Sequence, residues 1–403
     1  MDNTRLPVEF RNFIGARLFF VLGIRMITTV VIYQVFHLAN TYMVGFAGLA
    51  EFVPAVIAAV FAGHYIDRHN KKNILVLSYF FYLLCGVMLA LVSSSHFELT
   101  PAIKITVIFI VVFCTGIIRS FAGPSANSMI AAIVPRELLP KAISLNSSTW
   151  LISSIVGHAT GGLLIATTGI SNAYFITAAL ILTGAIFALQ LKPKPPVPQQ
   201  KNEPMLIGIR QGFKYVYNNK NLLGVLSLDL FAVLFGGAVA FIPEVAENVL
   251  HTNAIGYGFL NAAMDIGSLI SIAILLQFPM KQKQGLKMML AVAGFGIFII
   301  VFGLSQWYWL SFMALLIAGL FDAVSVVVRG TVMQLNTPDE LRGRVASINL
   351  IFINSSNELG QFESGVTSRW FGTLPAIIIG GAMSVVILAA TWVKFPKLRK
   401  LEY

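Results

Sequence analysis

Gly63-His64-Tyr65-Ile66-Asp67-Arg68-His69-Asn70-Lys71-Lys72 is a short polar, basic stretch between two long apolar runs. Val44 to Gly63 upstream and Ile74 to Val92 downstream are each long enough to cross a bilayer. So short a connection forces the two spans into an antiparallel hairpin. Arg68, Lys71 and Lys72 mark its cytoplasmic side, because short cytoplasmic loops carry an excess of Lys and Arg. The fold follows from this reading: the chain is built of membrane hairpins and not around a water-excluding soluble core.

Working outward, the whole chain has the same character. Of its 403 residues 57% are hydrophobic and only 11% are charged, and the mean hydropathy is +0.80. That composition belongs to a polytopic helical membrane protein. The net charge of +11 does not indicate nucleic-acid binding, because Arg and Lys gather in short clusters between apolar runs and not on one basic face. Cys85 and Cys114 both fall inside predicted spans, so no structural disulfide is expected. The first apolar run is too long for a cleavable signal, lacks a small-residue cleavage site, and is read as the first helix.

Twelve spans are predicted, at 13–38, 44–65, 74–94, 102–123, 141–168, 172–191, 221–248, 255–278, 287–305, 308–334, 343–370 and 374–394. Lys and Arg concentrate in the N-terminal segment, the loops near 68–72, 136–141, 192–220, 281–287 and 342–344, and the tail from Lys394 to Lys400. The loops near 39–43, 169–171, 249–254 and 306–307 carry none. Both termini are therefore expected in the cytoplasm, and Trp307, Tyr308 and Trp309 fit an outer interfacial belt. The longest polar segment divides the spans six and six, giving an N-terminal bundle 1–191, a linker 192–220 and a C-terminal bundle 221–403. In the linker, Lys192 to Pro198 reads as a stiff extended strap. Met205 to Tyr217 reads as an amphipathic helix on the inner leaflet, with Ile207, Ile209, Phe213 and Val216 as its apolar residues and Arg210, Lys214 and Lys220 interleaved.

An internal repeat supports that division. At an offset of about 203 positions, Pro135-Arg136-Glu137-Leu138 falls on Pro338-Asp339-Glu340-Leu341. At the same offset Ser144 meets Ser347, Asn146 meets Asn349, Gly157 meets Gly360, Gly162 meets Gly365 and Gly116 meets Gly319. The repeat joins segments of the same predicted orientation, as in transporters whose halves are related by an axis along the membrane normal.

The pattern Gly-x-x-x-Asp-Arg-x-x-Lys-Lys at Gly63, Asp67, Arg68, Lys71 and Lys72 resembles the loop between the second and third helices of the major facilitator superfamily. It departs at Asn70, where the family usually has a second glycine, and at Tyr65, where it usually has leucine. Gly157-His158-Ala159-Thr160-Gly161-Gly162 resembles the Gly-Pro-x-x-Gly-Gly element of the superfamily's antiporters, with His158 in place of the proline. Small residues there let helices approach closely. His158 is either a satisfied packing residue or a group that titrates near neutral pH. The polar segment Asn354 to Gly365, with Asp229 to Gly237, resembles the branch that contains the bacterial enterobactin exporter and macrolide efflux proteins. The resemblance implies an all-α membrane fold of two pseudo-symmetric six-helix bundles. It also implies a conformational latch at Gly63, Asp67, Arg68 and Lys72, partnered by Arg344 to Ser347.

Ionisable groups at membrane depth cost about 2.5–3.5 kcal/mol each on insertion scales and are functional candidates by default. Here they are Arg25, Glu51, Arg119, Asp229, Asp265, Asp322, Arg329, Glu358 and Glu363. The resemblance puts Arg25, Arg119, Asp229, Asp322 and Arg329 on helices that line a central cavity, basic in the first half and more acidic in the second. Asp322 and Arg329, seven apart, share a helical face. Glu51, Asp229, Asp322 and Glu358 are candidate proton carriers, and Arg25 and Arg119 are either ligand-binding or helix-locking residues. No enzyme motif, phosphate loop, dinucleotide fingerprint or cysteine cluster occurs, so neither an enzyme nor a cofactor or metal site is expected.

The expectation is a secondary transporter working by alternating access in the bacterial inner membrane, acting as a monomer. Its partners would be lipid, protons and a small amphiphilic organic substrate of drug or siderophore type, exported against inward proton movement. Proton-coupled uptake is the first alternative, and a non-transporting receptor or scaffold is one of another class.

Overall fold

The computed structural model describes residues 6–194, 205–338, 341–396 and 398–402. The strap residues Pro195 to Pro198, Asp339 and Glu340 of the repeat, and the side chains of Ile207, Ile209, Ser347 and Asn354 lie outside the described residues. The first helices are α1 (Val8–Leu38), α2 (Thr41–Arg68), α3 (Lys71–Ser93), α4 (Pro101–Ile133), α5 (Leu139–Thr168) and α6 (Ile170–Leu189). Next come α7 (Met205–Asn218), α8 (Lys220–Gly236) and the single turn α9 (Ile242–Glu244). The chain ends with α10 (Ala254–Gln277), α11 (Gln284–Leu304), α12 (Tyr308–Leu335), α13 (Arg342–Phe371) and α14 (Thr373–Lys394).

Eleven of the described segments are long and apolar enough to cross a membrane. The remaining predicted span is α13, a helix of 30 residues whose run of Asn, Ser, Gln and Glu lowers its hydropathy. The predicted span at 221–248 is not one continuous helix. It breaks after Gly236, and the chain continues through a tight turn at Val239–Phe241, α9 and a wide-turn segment at Val245–Val249. Broken helices need their freed carbonyls satisfied inside a bilayer. Ser364 of the polar α13 donates to the Gly237 carbonyl at 3.0 Å, and Ser384 of α14 donates to that of Ala232 at 2.9 Å. Part of the polarity of α13 thus serves the break in α8.

Local sequence sets the helix ends. Asn70 is the N-cap of α3, its side chain accepting from the Lys72 N–H at 3.1 Å, which gives the departure from glycine at this position a structural use. Thr100 caps α4 ahead of Pro101, and Asn219 caps α8. The repeat reappears in the backbone. Helices α5 and α13 each have 30 residues and are offset by 203 positions at both ends. Both are closed by a glycine of positive φ, Gly169 at 83° and Gly372 at 84°, a conformation in which glycine has no Cβ penalty.

The chain forms two compact units. Unit 1 comprises 1–39, 50–201 and 254–258, and unit 2 comprises 40–49, 202–253 and 259–403. In unit 1, α1, α3 and α6 pack around Phe20, whose ring lies 3.6 Å from that of Tyr79 and 5.2 Å from that of Tyr82. Gln34 is buried and joins Ser93 and Tyr174, each at 2.9 Å. In unit 2, Leu222, Val225 and Leu228 of α8 pack with Met288, Met289 and Val292 of α11 and with Val328 and Val332 of α12. Large apolar side chains such as Phe61, Leu84, Phe113 and Val386 are exposed. That surface suits lipid, in which helices associate by close packing and polar contacts without a hydrophobic drive between them.

Candidate transport site

In unit 1 the intramembrane charges form a connected group. Glycine makes it possible: the α4 backbone at Gly116 lies against the Glu51 carbonyl of α2, leaving no room for a side chain. One turn on, Arg119 pairs with the Glu51 carboxylate at 2.9 Å. Ser120 donates to the Ala55 carbonyl at 2.8 Å and pins the same crossing. The pair retains 34% and 24% side-chain exposure. The buried hydroxyl of Tyr82 on α3 bonds to the Thr115 carbonyl at 3.3 Å and lies within electrostatic reach of Glu51, Arg119 and Arg25.

Arg25 projects from α1 toward α5, with its guanidinium 4.9 Å from the ring centre of Trp150. Arg17 approaches the same ring at 5.5 Å and donates to Asn146 at 3.2 Å. Two guanidinium groups on one indole is an arrangement of cation–π type. Arg17 is buried and is absent from the intramembrane charges read from sequence. Its signals were its place inside the first predicted span and the repeat match of its partner Asn146 with Asn349.

The Gly157–Gly162 element packs as its small residues suggest. A methyl group at Gly157 would sit 2.7 Å from the Cβ of Arg25, and one at Gly162 would sit 2.7 Å from the Cα of Gly258. Gly161 lies against Thr29. The Nδ1 of His158 is 2.7 Å from the Thr29 hydroxyl, and the Thr29 carbonyl accepts from Tyr257 at 3.0 Å. His158 therefore serves the α1–α5 contact in this structure.

Unit 2 uses the same framework with different charges. Asp229 of α8 is 3% exposed and pairs with Arg329 of α12, which is 6% exposed. Ser325, one turn before Arg329, donates to the other carboxylate oxygen at 2.8 Å. Asp322 shares the helix face of Arg329 but takes a different neighbour, coming within electrostatic reach of Asp265 on α10. That crossing is close because the α12 backbone at Gly319 abuts the Met264 carbonyl and Gly267 abuts that of Leu316. The hydroxyl of Ser268 donates to the Gly319 carbonyl at 3.1 Å. Gly319 is the repeat partner of Gly116. The two units thus share one glycine-mediated crossing, which carries an acid–base pair in unit 1 and two carboxylates in unit 2.

Glu358 is buried on α13, and its backbone carbonyl faces Gly48. On the same helix Gly365 meets Gly45 and Phe362 meets Phe46, with ring centres 5.1 Å apart. Gly360 closes on the Leu234 carbonyl, repeating for α8 the role of Gly157 beside α1.

At the other end of unit 1, α2 runs on through Gly63 to Arg68, and Asp67 and Arg68 are exposed. Lys72 donates to the Leu189 carbonyl at the end of α6 at 2.7 Å, where a cation complements the helix dipole. The strap begins tied down. Glu9 accepts from the Lys192 N–H at 2.9 Å and pairs with Lys194 at 3.0 Å, and Asn70 accepts from the Lys194 N–H at 3.2 Å. In unit 2, Arg344 bonds with Gln211 of α7.

The sequence matches the family model of the Major Facilitator Superfamily over residues 14–361. It is 26% identical over 341 residues to the Enterobactin exporter EntS of Shigella boydii serotype 18 (strain CDC 3083-94 / BS512), covering 83% of this chain and 79% of that one. The Enterobactin exporter EntS of Escherichia coli O1:K1 / APEC matches with the same identity and coverage. Among solved structures, the nucleoside transporter NupG superposes with a TM-score of 0.77 at 16% identity, over 96% of this chain and 100% of that one. A D-xylose-proton symporter gives 0.73 at 14% identity, over 98% and 99%. Helix order, repeat and sequence agree, and the chain is a multi-pass membrane transporter that belongs to the Major Facilitator Superfamily.

Proposed function

We propose that this transporter exports a small amphiphilic organic compound in exchange for protons, working by alternating access in the bacterial inner membrane with both termini in the cytoplasm. The observation that carries the coupling is the crossing of α10 and α12. Asp322 stands within electrostatic reach of Asp265 at a point where glycine lets the two helix backbones approach closely, and an acid at membrane depth beside a second carboxylate is a candidate to carry a proton. At Asp229 a proton would instead disrupt a buried ion pair with Arg329, and at Glu51 it would disrupt the pair with Arg119. Asp322 is therefore the preferred proton site, and Asp229–Arg329 is a structural tie on the same helix. Export is supported by the similarity to enterobactin exporters over most of both chains. Arg25 beside Trp150 suits a substrate that combines anionic and aromatic character.

The test is proton flux in inverted membrane vesicles, read by a pH-gradient dye, on addition of siderophores, macrolides or cationic dyes. Substrate-dependent collapse of the gradient is expected, and its loss in Asp322→Asn at normal expression. Collapse that survives in that variant refutes the proton site. Substrate-driven proton movement seen only in right-side-out vesicles refutes export in favour of symport.

A further inference from the structure

Helix α7 was read from sequence as lying on the inner leaflet. In the structure only part of its surface is free to do so. Gly212 packs against the Arg344 backbone, Val216 is buried with Leu226, Val345 and Ile348, and the Tyr215 hydroxyl bonds to the Asn336 carbonyl. One face of α7 thus grips the starts of α8 and α13 and the end of α12. The opposite face exposes Arg210, Phe213, Lys214 and Tyr217, at the i, i+3, i+4, i+7 spacing of a single helical stripe. Aromatic rings alternating with cations are what a helix shows to the headgroup layer.

Beside this stripe is an open cavity of about 850 Å³. It is lined by Lys214 and Asn218 of α7, by Asn219, Lys220 and Asn221 at the entry to α8, and by Leu341 just before α13. Residues 205–221 contain no Asp or Glu. A single residue, Asn219, separates α7 from α8, which begins a segment long and apolar enough to cross a membrane, so the cavity lies at the mouth of a span. The positive end of α8 adds to the field there.

We propose that this cavity binds the headgroup of an anionic phospholipid. Lys214 and Lys220 meet its phosphate, the Asn218 and Asn221 amides bond to its polar headgroup, and Phe213 and Tyr217 rest among the acyl-chain ends. Because the other face of α7 holds α13, the bound lipid steadies the helix that carries Glu358. The charge complementarity of the lysines selects anionic over zwitterionic lipid, and the adjoining aromatic stripe selects lipid over free phosphate.

The experiment places the full-length protein in nanodiscs of phosphatidylglycerol and phosphatidylcholine at one to three. Retained lipid is counted by native mass spectrometry after release. Preferential retention of phosphatidylglycerol is expected. It should fall about fivefold for Lys214→Gln or Lys220→Gln and about 30-fold for the pair, following about 1 kcal/mol per basic group near an anionic surface. Lys104→Gln, at the start of α4, should leave it unchanged. Phe213→Ser with Tyr217→Ser should lower retention of both lipids alike. Each variant is also compared by melting temperature in phosphatidylcholine alone, which separates loss of the site from loss of the fold. Equal retention of the two lipids, an undiminished preference in the double lysine variant, or displacement of the lipid by inorganic phosphate overturns the proposal. The readout is binding, so it stands or falls independently of transport direction and proton coupling.

Discussion

Replacing Asp229 by Asn leaves the Arg329 guanidinium buried without its counter-charge. The geometry sets the size of the effect. Both groups are nearly fully buried, and Ser325 holds the second carboxylate oxygen at 2.8 Å, so the pair is desolvated and fixed by hydrogen bonds. Removing one partner of such a pair costs about 3–5 kcal/mol, because the remaining charge keeps its desolvation penalty without compensation. At about 2–4 °C per kcal/mol for a unit of this size, Asp229→Asn should lower the melting temperature in detergent by roughly 6–20 °C. Asp229→Leu combined with Arg329→Met removes both charges and keeps the volume, and should recover most of that loss. Ser325→Ala should cost about 1.5–3 kcal/mol, the value of a hydrogen bond to a charged group. Fluorescence-detected melting of purified single and double variants provides the comparison. An Asp229→Asn protein as stable as the parent, or a double variant no better than the single one, would refute the claim that this pair ties α8 to α12. A contrasting case is Glu51→Gln, whose less buried pair with Arg119 should cost less than loss of the Asp229–Arg329 pair.

Three further outcomes follow from packing and hydrogen bonding. Gly319→Val would drive a branched side chain into the Met264 carbonyl and should abolish the monodisperse peak in size-exclusion chromatography. Gly330→Ala on the same helix meets nothing within 4 Å and should leave that peak unchanged or raise the melting temperature slightly, since Ala is the better helix former. His158→Ala removes its bond to Thr29 and should lower the melting temperature by an amount corresponding to about 1 kcal/mol, without shifting the pH profile of transport; a shifted profile would assign His158 a titrating role instead.

Much of the architecture was legible because it is written in one dimension. Hydropathy gave the spans, and the 203-residue offset gave the repeat that later appears as matched helix ends and paired glycine caps. The small residues of that repeat even marked the contacts, with Gly157 and Gly360 closing on α1 and α8 in turn. Choice of partner was less legible. Asp322 and Arg329 lie on one helical face, yet two turns of α12 separate them, so one meets α10 and the other α8. Which helix comes near at each level depends on crossing geometry, not on spacing along the chain. Arg17 was missed because its partners, Asn146 and Trp150, are about 130 positions away and neither is charged. Helix α7 was recognised as amphipathic, but a hydrophobic face does not say whether lipid or protein will cover it. Here Val216 turned to protein and Phe213 to the outside.

The comparison of the two glycine crossings bears on how a repeat acquires function. Gly116 and Gly319 keep equivalent backbone contacts, so the two bundles retain the same close approach of their second and fourth helices. A close approach fixes where the next residues stand, one turn along, whatever their chemistry. In unit 1 that position holds Arg119 opposite Glu51, a neutral pair whose attraction reinforces the crossing. In unit 2 it holds Asp322, within electrostatic reach of Asp265. On the proposed function, a proton on Asp322 bears on the crossing itself, and the same framework gives a static tie in one bundle and a proton-responsive joint in the other. A single substitution at the repeat position, Asp322→Arg, should convert the second into a copy of the first. That variant should fold, bind substrate and lose proton coupling, whereas retained coupling would locate the proton elsewhere in the molecule.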